Sequence, residues 1–283
     1  MGTLHTKYKG ANSGNGPSPA IWADCPWVNA IDDPNVGYGW FDDFLGLQDP
    51  TTAKAYGPYL MLDTGDSTIT ASPEVGGAVK ILVTTDNEDV GIKLGDATSA
   101  AFAIPANSAT TPGRKLWFEA RVKVSAITDA YGGMFVGLAN EGALSANFIA
   151  DAGNDFADQD LLGFWKDETD DSTGSHVHVV TQKTGADFDT IIDTVTELVA
   201  DTYVKLGFVY DPEAPARKRI KFFVNGVEQS TYVGETSTDA TCYIRDTTNF
   251  PGGEEMNPIF YLSAASANDL SAYMDWWRVF QLR

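Results

Sequence analysis

The sequence predicts an all-β protein, a two-sheet antiparallel sandwich of the jelly-roll type. Short segments in which apolar and polar residues alternate recur along most of the chain. Clusters of Gly, Pro, Asp and Asn separate these segments, and no window shows a convincing long amphipathic helix. Many short strands joined by turns are typical of sandwiches and jelly rolls.

The strand pattern is clearest in two segments, residues 118–124 and 203–210, where every second side chain is apolar. Residues 220–224 lead into Asn225-Gly226, a dipeptide typical of two-residue hairpin turns. Residues 190–200 come closest to a helical pattern, but their β-branched content favours a strand. Further strands are predicted at residues 79–83, 134–138, 161–165, 177–180 and 259–262.

The first 38 residues are predicted to form an extended N-terminal arm, because they are rich in Gly, Pro, Asn and Ser and show no sustained period. Aromatic residues nevertheless occur at Trp22, Trp27, Tyr38 and Trp40, and a disordered tail rarely contains so many. The arm either wraps over its own domain or a neighbouring subunit, or packs on the surface without a partner. No repeat or linker follows, so residues 39–283 are predicted to be one β domain.

The 283-residue chain is strongly acidic, with a net charge of -20 and a pI near 4.3. This disfavours a nucleic-acid partner, because phosphate contacts need clustered Lys and Arg. The N-terminus lacks the apolar core of a secretory signal, and no apolar run is long enough to cross a bilayer, so no membrane role is expected. Cys25 and Cys242 are too few for a disulfide scaffold, and we expect free buried thiols.

Four segments of the chain, in order, resemble the concanavalin A-like lectins and glucanases, and most of all the laminarinase-type glycoside hydrolases. The resemblance spans residue 39 to the C-terminus and implies a jelly-roll fold. The segments are GWFDDF at 39–44, WFEARVKV at 117–124, KRIKFFVNGV at 218–227 and the closing strand DWWRVFQ at 275–281.

The resemblance does not extend to the catalytic residues of those hydrolases. Retaining glycosidases need two carboxyl groups about 5 Å apart, which the family places on one strand as E-x-D-x-E or E-x-D-x-x-E. The matching strand here is DLLGFWKDE at 160–168, with only Asp160 near its start. Leu162 and Phe164 are expected where the family needs carboxylates, so we predict a protein that is not an enzyme.

Other titratable residues give weaker signals. The acidic groups at 254–255 and 167–171 are interpreted as solvated loop charges rather than catalytic groups. His176 and His178 share a strand face and could pair with a carboxylate or a metal, although strand histidines are more often structural.

Asp275 lies beside Trp276 and Trp277 in the closing strand, where an unpartnered carboxylate would be costly. The resemblance assigns the matching aspartate to a structural Ca²⁺ site completed by main-chain oxygens, a mixed shell that Ca²⁺ favours. The alternative is that the Asp275 carboxylate caps backbone amides near residues 41–43.

Two functions from different classes remain. The first is a virion structural protein of a tailed bacteriophage, foremost a decoration or cement protein on the head exterior and next a tail or fibre component. The chain is similar to structural proteins of bacterial viruses, and such a role implies other virion proteins as partners, a homo-oligomer, synthesis in the host cytoplasm and final location in the virion.

The second function is carbohydrate binding, with a cell-surface glycan as partner. Sugar sites use exposed aromatic side chains with a few polar groups around them. Trp165, Tyr131 and Tyr243 are the candidate residues, and one of Phe164 and Trp165 is expected to face the sheet surface that holds substrate in the hydrolases. A glycoside hydrolase or lyase with a displaced site is a third, less favoured hypothesis.

Overall fold

Two antiparallel β-sheets packed face to face make up the protein, as the sequence predicts. The computed structural model describes residues 14–46, 55–74, 76–104, 113–128, 131–150, 155–167, 175–214, 219–229, 250–251 and 253–283. Within these ranges each sheet has eight strands.

The described residues contain two short helices, α1 (Pro19–Trp22) and α2 (Trp27–Asp32), and a 3-10 turn at Glu141–Ala143. The strands are β1 (Gly37–Asp42), β2 (Ala55–Tyr56), β3 (Tyr59–Asp63), β4 (Thr68–Ala71), β5 (Val79–Val83), β6 (Asp89–Leu94), β7 (Leu116–Val124), β8 (Gly132–Asn140), β9 (Leu161–Lys166), β10 (His176–Gln182), β11 (Asp189–Glu197), β12 (Val204–Tyr210), β13 (Ile220–Val224), β14 (Val227–Glu228), β15 (Met256–Ala264) and β16 (Leu270–Leu282).

Sheet A has the strand order β14-β13-β12-β7-β16-β5-β4, and sheet B has the order β11-β10-β9-β8-β15-β6-β3-β2. The long closing strand β16 organises sheet A. It pairs with β7 along one edge, and along the other edge it pairs first with β5 and then with β1. The beginning and the end of the described chain therefore meet in one sheet.

The core between the sheets is formed by the inward side chains of both. The alternating segments predicted from sequence supply it, since Phe118, Ala120, Leu206 and Phe208 all belong to this cluster and are fully buried. Burial of so much apolar surface is the main stabilising contribution. The predicted hairpin is also confirmed, because residues 225–226 join β13 to β14 with positive φ at both positions, as a type I′ turn requires.

The predicted strands at 79–83, 134–138, 161–165, 177–180 and 259–262 all lie within strands of the structure, and residues 190–200 contribute to β11 rather than to a helix. The prediction for the arm was wrong in one respect, since residues 19–22 and 27–32 are helical rather than extended. Strand β1 begins at Gly37, so it crosses the predicted boundary at residue 38.

The turn between β5 and β6 is held by a buried carboxylate, Glu88. Its two oxygens accept the backbone N–H groups of Thr84 at 2.7 Å, Thr85 at 3.0 Å and Asp66 at 2.5 Å. Burial opposes ionisation, but these amides outweigh it and lower the pKa of Glu88 to about 2. The ionised carboxylate therefore favours the folded state.

We expect Glu88→Gln to destabilise the protein by up to about 2 kcal/mol at neutral pH, a figure that allows for solvent screening. A lowered pKa stabilises the fold above the unfolded value of 4.5, and this contribution is lost as the pH falls through about 2. The free energies of unfolding of wild type and Glu88→Gln, measured with urea between pH 7 and pH 2, should therefore converge at the acid end. A constant difference across this range would contradict the assignment.

In the part of the chain that the structure describes, no helix has the length and apolar character needed to span a membrane.

Candidate functional site

The strand that the sequence resemblance matches to the catalytic strand of the hydrolases is β9, which lies in sheet B. In β9, Leu162 and Phe164 point into the core between the sheets, whereas Leu161 and Trp165 belong to a second cluster on the outer face. The sequence interpretation was therefore shifted by one residue, because Leu162 and Phe164 do not face the outer surface. In either register β9 offers no carboxylate between Leu161 and Lys166.

A segment of the chain itself covers this face. We call it the cover segment, and it comprises residues 141–150 and 155–160 between β8 and β9. The Phe148 ring lies 5.3 Å from that of Phe135, 5.2 Å from that of Tyr261 and 5.6 Å from that of Phe156. Phe156 in turn lies 5.0 Å from Trp165. These aromatic contacts cover the outer face of sheet B around Trp165.

Polar contacts fix the cover segment as well. Tyr261 donates its hydroxyl to the backbone oxygen of Ser145 at 3.1 Å and accepts the backbone N–H of Phe148 at 3.2 Å. The buried carboxylate of Asp89 accepts the backbone N–H of Asn147 at 2.8 Å. The segment is thus held by directed bonds in addition to apolar burial.

The three candidate glycan residues do not come together in the described structure. Trp165 is 3 % exposed beneath Phe156 and Phe188, so its ring offers no open face. Tyr131 is half-buried and packs against the edge of the main core, where its backbone oxygen accepts the N–H of Ala265 at 3.3 Å. Tyr243 lies outside the described residues.

The other sequence-selected titratable groups have local partners. Asp160 is 1 % exposed and accepts the hydroxyl of Thr184 at 2.6 Å, which ties the start of β9 to the turn after β10. Nδ1 of His178 lies 3.1 Å from Oδ1 of Asp193 and accepts the backbone N–H of Thr194 at 3.4 Å, both in the neighbouring strand β11.

His176 lies similarly, with Nε2 3.7 Å from Oε1 of Glu197. Glu254 and Glu255 are exposed, as expected of solvated loop charges. Asp167 is half-buried, and the remaining acidic residues of that group, 168–171, lie outside the described residues. Among the acidic residues named here that the structure describes, Asp160, Glu197 and Asp193 each have a local partner.

Asp275 occupies a bulge in β16, between the pairs Met274 with Val122 and Trp276 with Arg121. The bulge turns its carboxylate toward Arg121, and Nη1 of Arg121 donates to Oδ2 of Asp275. Burial raises the pKa of Asp275, and the Arg121 guanidinium acts in the opposite direction.

A structural Ca²⁺ at Asp275 does not fit this arrangement, because the guanidinium already supplies the positive charge. In the described residues, no group of three or more His, Cys, Asp or Glu side chains is placed to hold a metal ion. Within the described residues Asp275 also does not cap the backbone amides near residues 41–43. Asp42, which pairs with Trp277, accepts the N–H of Phe44 at 2.7 Å instead.

We expect the thermal midpoint to be unchanged, within about 1 °C, when EDTA replaces millimolar CaCl₂, because a ligand that does not bind the folded state cannot stabilise it. Differential scanning calorimetry of wild type and Asp275→Asn would measure this. A Ca²⁺-dependent rise in midpoint that disappears in Asp275→Asn would restore the calcium hypothesis.

The N-terminal arm packs on the outer face of sheet A of its own domain. Trp22 is 2 % exposed and lies in a cluster with Ile21, Trp117 and Phe280. Trp27 joins this cluster, with its ring 5.4 Å from that of Phe280. Residues 14–38 therefore pack over their own domain.

A buried carboxylate lies at the centre of this contact. Oε2 of Glu119 accepts the backbone N–H of Ser18 at 2.9 Å and the indole N–H of Trp22 at 2.7 Å. Lys205 donates to the backbone oxygen of Gly16 at 3.1 Å, and Arg278 lies over the ring of Trp22 at 4.4 Å. The alternation of apolar and polar residues in β7 assigns Glu119 to the polar face of the strand. This face is buried at Glu119 because the arm packs over it.

Burial raises the pKa of Glu119, against the effect of its bonds to Ser18 and Trp22 and of the Lys205 charge. A carboxyl group with a raised pKa contributes most stability below its unfolded value of 4.5, and this contribution is lost as the pH rises through its folded value. We therefore expect Glu119→Gln to gain stability relative to wild type as the pH rises above 4.5. Urea unfolding of both proteins from pH 4 to pH 8 measures this, and a pH-independent difference would contradict it.

The remaining aromatic residues of the arm face different surroundings. Tyr38 donates its hydroxyl to Ala101 O at 2.7 Å and stacks on Phe102 at 5.4 Å. Trp40, in β1, donates its indole N–H to the hydroxyl of Tyr59 at 3.0 Å.

Cys25 is a free thiol whose pKa burial raises to about 12, as expected for an inert cysteine. Cys242 lies outside the described residues.

No protein-family model and no curated protein matches the chain. Solved structures do match. Peanut lectin in complex with a nine-residue peptide is 14 % identical over 87 % of this chain and 98 % of that chain, with a TM-score of 0.55. A protein of unknown function from Shewanella oneidensis MR-1 is 12 % identical over 88 % and 87 %, with a TM-score of 0.52.

An endo-β-1,4-glucuronan lyase from the fungus Trichoderma reesei is 10 % identical over 85 % of this chain and 94 % of that chain, with a TM-score of 0.50. At these identities the similarity concerns the fold, and fold does not determine function. The two packed sheets, their strand order and these matches together show that the chain has the jelly-roll fold of the concanavalin A-like lectins and glucanases.

Proposed function

We propose that this protein is a non-enzymatic structural protein of a tailed-phage virion, most specifically a decoration or cement protein on the head exterior. The observation that supports it most is the covered outer face of sheet B. The fold keeps the sandwich, while the surface that holds substrate in the resembled hydrolases is occupied by Phe148 and Phe156 of the cover segment. Such a domain is suited to a structural role.

The charge of the chain agrees with this proposal. A net charge of -20 keeps free copies soluble and apart before assembly. On a particle, such copies need contacts with other virion proteins to overcome their mutual repulsion. We expect a homo-oligomer that forms on the capsid or tail and other virion proteins as partners, after synthesis in the host cytoplasm.

Immunogold labelling of phage particles purified from the source culture tests the proposal, with antibodies raised against the recombinant protein. Label spread evenly over the heads would support a decoration protein. Label confined to the tail would move the role to a tail or fibre component. Particles without label above the pre-immune control would rule out the virion role.

Glycan binding is the second candidate, favoured by the similarity in fold to peanut lectin. The buried position of Trp165 removes it as a platform, which leaves Tyr131 as the remaining candidate among the described residues. A broad glycan array with wild type and Tyr131→Ala tests this. Binding that Tyr131→Ala weakens would support a lectin, and an array without signal would exclude one.

A hydrolase or lyase with a displaced site would have to use Asp160, the carboxylate nearest the start of β9. Its side chain is buried and bonded to Thr184. We therefore expect no turnover of soluble β-glucans. Turnover that disappears in Asp160→Asn, with the fold intact, would overturn the non-enzymatic assignment.

A further inference from the structure

Lys93 is a lysine at a position that suits an apolar residue. Ile92 and Leu94 of β6 point into the core, so the alternation of the strand places Lys93 on the outer face of sheet B. It lies between Leu60 of β3 and Ile259 of β15 and is 0 % exposed. Its Nζ atom is buried and has no hydrogen-bond partner within the described residues. An amine buried in this way is costly to the folded state.

The charges closest to this amine do not remove the cost. Burial lowers the pKa of Lys93, against the opposing effect of the Asp96 and Glu141 carboxylates. A charged amine lacks an acceptor at this position, and a neutral amine has lost a proton that it would keep in water. In either state, Lys93 is therefore better accommodated by water than by its buried site.

The first part of the cover segment, residues 141–150, closes over this face of sheet B, and we call it the lid. It follows β8, and Ile259 of β15 pairs both with β8 and with Lys93, so the lid begins close to Lys93. A carbon atom added at Gly91 of β6 would lie 2.7 Å from Cδ1 of Leu144. The lid therefore passes directly above β6.

A second polar atom is buried without a partner further along the lid. It is Oγ of Ser263 in β15, which has no hydrogen-bond partner within the described residues. A carbon atom added at Gly133 would lie 3.1 Å from Oγ of Ser263 and 3.4 Å from Cδ1 of Ile149. The lid therefore ends above a second group for which water would supply the missing partner.

The lid is attached to sheet B through side chains. Asp89 accepts the backbone N–H of Asn147 at 2.8 Å, and Tyr261 bonds to Ser145 and Phe148. Bonds of this kind can break while the strands of sheet B stay paired. Opening of the lid therefore does not require unfolding of the sandwich.

We propose that residues 141–150 form a lid that opens in the native protein, and that the unpaired amine of Lys93 beneath it sets how often the lid opens. Opening transfers the Lys93 amine and the Ser263 hydroxyl to water, which lowers the free energy of the open state relative to the closed state. This inference does not depend on the virion role, because opening is measured on the isolated protein and immunogold labelling does not respond to it.

Native-state hydrogen exchange of wild type and Lys93→Met tests the proposal. The amides of Asn147 and Phe148 report on the lid, because both donate to side chains of sheet B. In wild type we expect them to exchange faster than the paired amides of β7, which exchange only when the sandwich unfolds. Lys93→Met removes the unpaired amine at similar volume, so the lid amides should exchange about tenfold slower or more.

Two controls separate the effect of Lys93 from a general effect of removing a positive charge. Lys221→Met makes the same change at a partly exposed side chain of sheet A and should leave the lid amides unchanged. In Lys93→Met, the amide of Gln229 beside the edge strand β14 should keep its wild-type rate, because fraying of this edge does not expose Lys93. Wild-type lid amides as slow as those of β7, or lid amides unaffected by Lys93→Met, would overturn the proposal.

Acetylation of the native protein by N-hydroxysuccinimidyl acetate, read by mass spectrometry, keeps the test independent of how Lys93→Met folds. The free amine attacks the acetyl carbonyl, the N–C bond forms as N-hydroxysuccinimide leaves, and the proton passes to solvent. We expect Lys93 to react slowly in wild type and about a hundredfold faster in Phe148→Ala, which loosens the lid, with the rate at Lys221 unchanged. If Lys93 stays unlabelled in both proteins after Lys221 has reacted completely, the lid does not open.

Discussion

Replacing Trp22 with Ala is expected to destabilise the protein by about 4 kcal/mol, close to the largest effect of a single truncation in this chain. The indole is 2 % exposed, contacts Trp27 edge-on with ring centres 6.4 Å apart and lies under Arg278. Its removal leaves a cavity between the arm and sheet A. It also removes the indole N–H that donates to Glu119 beside the N–H of Ser18, and an under-bonded buried carboxylate adds to the cost.

The measurement is urea unfolding of wild type, Trp22→Ala and Ile31→Ala, with the thermal midpoint as a second readout. Ile31 is in the same arm but is 72 % exposed, so its truncation should change stability by no more than about 0.5 kcal/mol. A loss of about 4 kcal/mol corresponds to a midpoint about 10 °C lower. If Trp22→Ala were as stable as Ile31→Ala, the arm would not be part of the cooperative fold.

The packing of Trp22 also limits how a role of the arm in assembly can be tested. Deletion of the arm would expose the apolar cluster that Trp22 forms with Trp117 and Phe280 on sheet A, so we expect it to affect folding as well as assembly. An assembly test should therefore change exposed residues such as Ile31 and keep the buried ones.

The sandwich itself could be predicted because its strands alternate. In residues 118–124 the inward positions are apolar, and this period alone assigns them to a strand with one buried face. The Asn225-Gly226 turn is likewise a local signal. Strand β6 was missed, since all six of its residues are buried and it lacks a polar face.

The candidate site was harder to predict because it depends on contacts distant in sequence. Glu119 is one of the polar residues that alternate with apolar ones in β7. It is buried because Ser18 and Trp22, about a hundred residues earlier in the chain, pack against it.

The sequence also did not predict which side chains of β9 face the core and which face outward. Leu161, Leu162, Phe164 and Trp165 are all apolar, so periodicity does not distinguish the face toward the core from the face under the cover segment. When a strand is buried on both sides, its sequence does not show which residues face which side. The predicted facing of the β9 side chains was therefore shifted by one residue.

Phe148→Ala is expected to loosen the cover segment and to cost about 4 kcal/mol, because the ring is fully buried among three other aromatic rings. Without it, the segment retains its bonds to Tyr261 and Asp89 but loses its central apolar contact. We expect local opening to precede global unfolding, since the segment is joined to sheet B mainly by side chains. Native-state hydrogen exchange at Ala157, whose N–H donates to Phe148 O at 2.9 Å, measures this.

The amide of Ala157 should exchange about a hundredfold faster or more in Phe148→Ala, while amides of β7 in the opposite sheet change less. Phe41→Ala is the matched control, since Phe41 is 44 % exposed and should alter neither value appreciably. Opening would uncover Trp165 and Phe135, which the cover segment buries in the native protein. Unchanged exchange at Ala157 would mean that the cover segment is held by its polar bonds, and the covered face would then owe little to Phe148.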